Sequence, residues 1–103
     1  MQVGTGSYSF EWNSDWAQIP DDITLGYTHG VVVDRGGIVH VFNQSRHGVV
    51  RFEPDGSFAG TWDEFPSDRF VGAHGMTLVD EDGAQFLWLT DQTSREVVKT
   101  TLD

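Results

Sequence analysis

Thr28-His29-Gly30-Val31-Val32-Val33-Asp34 returns as Ala73-His74-Gly75-Met76-Thr77-Leu78-Val79-Asp80. Further along, Asn43-Gln44-Ser45 returns as Asp91-Gln92-Thr93. Each copy then closes on two valines and a basic residue, Val49-Val50-Arg51 and Val97-Val98-Lys99. A self-similarity of about 45 residues marks one supersecondary unit stacked on the next, and a four-stranded propeller blade has about this length. The repeat puts a histidine at the same point of each unit, His29 and His74.

Gly and Asp-Gly punctuation cuts the first unit into four short strands. His29 to Val33 is an apolar run suited to burial on both faces. Asp34-Arg35-Gly36-Gly37 is turn chemistry, with glycines available for positive φ. Ile38 to Phe42 and Val49 to Phe52 are the next strands, and Pro54-Asp55-Gly56 turns the chain into a fourth, Ser57 to Trp62. The second unit predicts strands over His74–Val79, Phe86–Thr90 and Glu96–Thr100, and its fourth strand is missing. Gly6-Ser7-Tyr8-Ser9-Phe10-Glu11-Trp12 parallels Gly56-Ser57-Phe58-Ala59-Gly60-Thr61-Trp62, so residues 7–12 read as an outer strand separated from its blade. In a ring, such a strand completes the last blade and removes exposed edges. The expected class is therefore all-β, a partial β-propeller spanning 1–103. It has a closing strand at 7–12, one blade at 28–62 and an incomplete blade at 73–103.

Two blades do not close a ring, since propellers use about four to eight. The sequence thus predicts that the partners include the remaining propeller blades or other copies of the chain. With 6 Lys and Arg against 16 Asp and Glu, the net charge of -10 argues against nucleic acid and anionic membranes, which need basic patches. Without cysteine, disulfide and thiolate chemistry are excluded. No apolar run approaches the ~18 residues of a membrane span. With Met1 as the start, residues 1–27 lack the basic start and apolar stretch of a secretion signal, which leaves the cytoplasm as the default.

The pattern His-Gly-x-x-x-Asp, turn glycine, apolar strand, Asn/Asp, then Val49-Val50-Arg51-Phe52-Glu53-Pro54-Asp55-Gly56 resembles the NHL repeat. Residues 28–58 and 73–103 carry the resemblance, which implies a six-bladed ring. Within that family, Ala73-His74-Gly75-Met76 followed by Leu87-Trp88-Leu89-Thr90-Asp91 looks like peptidyl-α-hydroxyglycine α-amidating lyase. That enzyme holds zinc in its central channel with histidines at inner-strand starts. The resemblance implies His74 as one such ligand, while His29 stands where the lyase has none. It also implies a structural calcium held partly by backbone carbonyls, here those of Val31 and Met76. Where the lyase grips substrate with an arginine this chain reads Phe42-Asn43-Gln44, which leaves Gln44 or the shifted Arg46 as the substrate-binding candidates. The catalytic residue is unassigned.

The residues themselves leave two readings of the paired histidines. Imidazoles converging from neighbouring blades can ligate zinc, which takes four ligands and keeps an open position when catalytic. Alternatively, each caps its strand by hydrogen bonding to the adjacent blade. Two function classes follow: a metal-dependent, lyase-like propeller, or a non-catalytic module binding a protein, peptide, small molecule or glycan. His40 and His47 read as a packing and a surface residue, and Asp34 and Asp80 as turn acceptors.

Overall fold

A computed structural model describes residues 1–62 and 71–103. Nine strands make three antiparallel sheets, and no helix occurs among the described residues. β1 (Gln2–Thr5) and β2 (Tyr8–Glu11) form a two-stranded hairpin. β3 (Thr28–Val33), β4 (Val39–Asn43), β5 (Val49–Phe52) and β6 (Phe58–Thr61) form a four-stranded meander. β7 (Ala73–Glu81), β8 (Ala84–Asp91) and β9 (Glu96–Thr100) form a three-stranded one. The described sheets are open, not closed into a barrel or ring.

The local chemistry accounts for the meanders. Asp34 Oδ1 accepts the Gly36 and Ile38 amides at 2.8 and 3.0 Å, which closes the β3–β4 turn. Asp55 Oδ1 does the same for Ser57 N at 2.9 Å before β6. In the second unit the β7–β8 turn has two residues, Asp82 and Gly83, both at positive φ, as a tight hairpin requires. β7 and β8 consequently run longer than the sequence predicted, with β7 extending to Glu81.

Strand alternation gives the four-stranded sheet two apolar faces. Register places Gly30 beside Phe42, Phe42 beside Val49 and Val32 beside His40, and this face looks toward the three-stranded sheet. There Phe42 and Val49 join Trp62, Ala73, Leu87 and Leu89 in the core, with Met76, Leu78 and Val98 packed around them. The two sheets approach most closely at Gly30, where an added Cβ would lie 2.5 Å from the Cβ of Met76. The opposite face carries Val31, Val33, Val39, Val41, Val50 and Phe52. Its outer part is covered by the segment before β3: Trp16 packs on Phe52 with ring centroids 5.9 Å apart, and Gln18 N donates to Gly56 O at 2.9 Å. Its inner part stays open, with Val31 62 % and Val33 56 % exposed.

The two sheets are tied at both ends. At the strand-start end, Gln44 Nε2 donates to the Ala73 carbonyl at 3.2 Å. At the other, Arg35 donates to Asp80 Oδ1 and to the Gly83 carbonyl, while its backbone N–H donates to Gln85 Oε1 at 2.8 Å.

Residues 7–12 were expected as a lone outer strand. In the structure Tyr8–Glu11 pairs with Gln2–Thr5, with Val3 opposite Phe10. The first strand was not anticipated, because Gly4 and Gly6 interrupt any apolar period there. The hairpin touches no other described strand.

Candidate functional site

The start of β3, the end of β4 and the start of β7 meet at one rim, and the sequence candidates gather there. Thr28 is opposite Asn43, and Ala73 is opposite Asp91. Both pairings then shift register, between Thr28 and Gly30 and between Ala73 and Met76. Each bulge falls on the His-Gly pair and turns the histidine out of the ladder. His29 and His74 are both exposed, and their rings stack at 4.8 Å between centroids with planes 15° apart.

The corner beneath each histidine is built from a buried polar side chain. Asn43 Oδ1 accepts the Gly26 amide at 3.1 Å and its Nδ2 donates to Gly48 O at 3.0 Å. Asp91, at the matching place, accepts from Gly72, Thr93 and Ser94 N–H groups at 3.0, 2.8 and 2.8 Å. Burial acting alone would raise the Asp91 pKa. The Ser94, Gly72 and Thr93 amides outweigh it and hold the carboxyl below its ordinary value. Thr90 Oγ1 accepts the Gly75 amide at 2.8 Å, which seats the backbone just after His74.

An open cleft of about 310 Å³ lies at the end of β4, lined by Asp22, Thr24, Gly26, Gln44, Arg46 and His47 among others; neither His29 nor His74 lines it. Gln44 and Arg46 both face it. Gln44 is partly committed, since one N–H of its amide ties the sheets together. Arg46 is exposed, and its Nε donates to His47 Nε2 at 3.2 Å. A guanidinium beside an open cleft can hold a carboxylate.

Val31 and Met76 sit at equivalent points of β3 and β7, the first strands of their sheets. Among the described residues, no group of three or more His, Asp or Glu side chains is arranged to hold a metal ion. The histidine pair supplies two imidazoles from this chain. A single ion must lie near the plane of each ring it binds, and nearly parallel rings do not share such a point. Both rings are exposed, so core packing does not hold them in this orientation.

Sequence reading missed one buried pair. His40 is 1 % exposed and its Nε2 lies 2.8 Å from Asp34 Oδ2. An ionised carboxylate only accepts, so His40 donates through Nε2–H. For Asp34, burial pushes the pKa up, but the bond from His40 and the Ile38 and Gly36 amides prevail and lower it. The signal was present in the sequence as Asp34 two places beyond Val32, the cross-strand partner of His40. This pair lies away from the rim and braces the β3–β4 turn.

No protein-family model matches the chain, and no curated protein matches it.

Proposed function

We propose that this chain forms two successive blades of an NHL-type β-propeller of amidating-lyase-like ancestry. Its working end is the rim that carries His29 and His74, where it takes up a divalent transition metal, zinc by ligand preference. The closeness of His29 and His74, two exposed side chains with ring centroids 4.8 Å apart, carries this reading; to ligate one ion the rings must turn out of their stack. It is a contact between equivalent points of two repeat units, on the surface. The sheet order supports the blade assignment, because each meander starts at its histidine strand and β3 lies against β7.

In this reading His29 and His74 each give one neutral imidazole nitrogen to the ion, and the other coordination positions go to water, ligand or donors outside the described pair. A zinc ion so placed supplies Lewis acidity to a bound carbonyl or water. The protein's own groups do the rest. Gln44 and Arg46 orient an anionic or peptidic ligand along the cleft, and the bulges at His29-Gly30 and His74-Gly75 hold the imidazoles clear of the ladder. The test is calorimetric titration of zinc into the wild-type chain, His29→Ala and His74→Ala. Both substitutions are expected to weaken binding at least about tenfold, the loss of one ligand's worth of free energy. Unchanged affinity in either variant removes that histidine from the site.

A second reading has its own observation, the cleft beside Arg46. A non-catalytic module would bind the carboxylate of a peptide, protein or acidic glycan there without metal. Metal-independent binding of an acidic peptide, abolished in Arg46→Ala and unaffected in His74→Ala, would select it.

A further inference from the structure

Among the described residues, one outer-type strand stands apart from both larger sheets, and one sheet has an edge where the other carries an outer strand. Residues 6–12 match 56–62, which makes β2 the counterpart of β6, the outer strand of the four-stranded sheet. Val97-Val98-Lys99 matches Val49-Val50-Arg51, which makes β9 the counterpart of β5. β5 is an interior strand with β6 beyond it, whereas among the described residues nothing lies beyond β9. The unpaired edge is on one sheet and the strand that fits it is on a hairpin that touches no other strand.

The open faces tell the same story independently. Val31, Val33, Val39, Val41 and Val50 are the repeat counterparts of Met76, Leu78, Leu87, Leu89 and Val98. The second set packs against the four-stranded sheet, while in the first set Val31 and Val33 are open. The surface that received the second set is Val32, His40, Phe42 and Val49. Its counterparts on the far side of the three-stranded sheet are Thr77, Trp88, Thr90 and Val97, of which Trp88 is 37 % and Val97 64 % exposed. The free face at one end of the molecule is thus of the kind that the internal interface buries, and the free face at the other end is of the kind that receives it.

We propose that the partner covering these surfaces is a second copy of this chain, docked head to tail. Its β2 adds to the β9 edge and completes a four-stranded sheet, and its Val31–Val33 face seats on Trp88 and Val97. The inference rests on the blade reading above. Strand addition at a sheet edge supplies main-chain hydrogen bonds, and alternate side chains set the register. The register follows from β5–β6, where Val50 is opposite Thr61, Arg51 opposite Gly60 and Phe52 opposite Phe58. Translated, Val98 faces Glu11, Lys99 faces Phe10 and Thr100 faces Tyr8. Trp12 then takes the place of Trp62, which is buried and donates its indole N–H to the Leu102 carbonyl at 3.2 Å. In the free chain Trp12 is 58 %, Phe10 63 % and Tyr8 77 % exposed on one hairpin face. The contact is heterologous, so it ends only when a ring closes. Rings of about four to eight blades correspond to roughly two to four chains.

The absence of native cysteine makes the test direct. Single-cysteine chains Phe10→Cys and Lys99→Cys are mixed and oxidised, with Gln2→Cys and Lys99→Cys as the control mixture. Facing residues of antiparallel strands lie about 4.5–5.5 Å apart, within disulfide reach. The expected result is a covalent heterodimer in the first mixture, at least about tenfold faster than in the control, and wild-type sedimentation at a small multiple of 11.5 kDa. Trp12→Asp, which alters only an exposed side chain, is expected to return the protein to monomer. A monomeric wild type at about 100 μM, or equal cross-linking in the two mixtures, overturns the proposal. Zinc titration of Trp12→Asp separates the two ideas: a monomer that keeps histidine-dependent binding leaves the rim reading standing without the assembly.

Discussion

Gly30→Ala tests whether the two meanders are in the contact described. The Gly30 backbone does not have positive φ, so alanine is conformationally allowed there. On backbone grounds alone the change would stabilise by about 0.4–1 kcal/mol, by restricting the unfolded chain. Across the interface, however, the new Cβ meets Met76 Cβ at 2.5 Å and Met76 N at 3.2 Å, and within its own sheet it meets Phe42 Cβ at 3.3 Å. Carbon atoms settle at about 3.5–4.0 Å, so the sheets must part by about 1 Å. The obstructing atoms are backbone and Cβ, which no rotamer change removes. Overpacking of this kind costs about 1–3 kcal/mol, and the upper end applies because the neighbours are rigid. The net expectation is about 2 kcal/mol of destabilisation. Urea unfolding followed by tryptophan fluorescence at fixed protein concentration reads it as a midpoint lowered by about 1 M. Gly30→Ala combined with Met76→Gly moves the Cβ from one sheet to the other, and the pair should couple favourably by about 1 kcal/mol or more. A Gly30→Ala chain as stable as wild type, with an additive double variant, would mean that β3 and β7 do not approach as described.

Two further outcomes follow. Asp91 has a folded pKa below its ordinary value, so it contributes stability that is present above about pH 3.9 and lost as pH falls through the folded pKa. Asp91→Ala leaves its three amide donors unpaired and should cost about 2–3 kcal/mol at neutral pH, whereas Asp91→Asn, the residue the first unit uses at this corner, should cost less and shallow the acid limb in pH-dependent urea titrations. Arg35→Ala should cost under about 1 kcal/mol by thermal unfolding, because the Arg35–Asp80 pair is 61 % exposed on each side.

The strands were legible because each bears its own signal. Apolar runs bounded by Asp-Gly turns placed β3 to β6 within a residue or so, and repetition carried the same reading to β7, β8 and β9. Repetition also brought His29 and His74 to one rim, since equivalent points of stacked units are neighbours. What it could not convey was the distance between units, and the stacking of the two rings depends on that distance. Gln44 illustrates the limit: sequence marked it as a ligand-binding candidate, and its amide turns out to hold the sheets together as well. Arg35 looked like an ordinary turn residue, because its role is set by the Asp80 and Gly83 of the other unit, 45 and 48 residues away. β1 was invisible for a different reason: a strand with glycine at its third place pairs through backbone alone, which leaves no periodicity to read.

The double tie between the meanders has a mechanical consequence. Gln44 fixes one end of the β3–β7 seam and Arg35 the other, with Gly30 drawn tight between them. A seam tied at two separated points has less freedom to pivot than one tied at a single point, and the imidazoles at its end stand on strands rather than on loops. Their separation is then a manufactured dimension of the repeat, as the gap of a caliper is set by its frame.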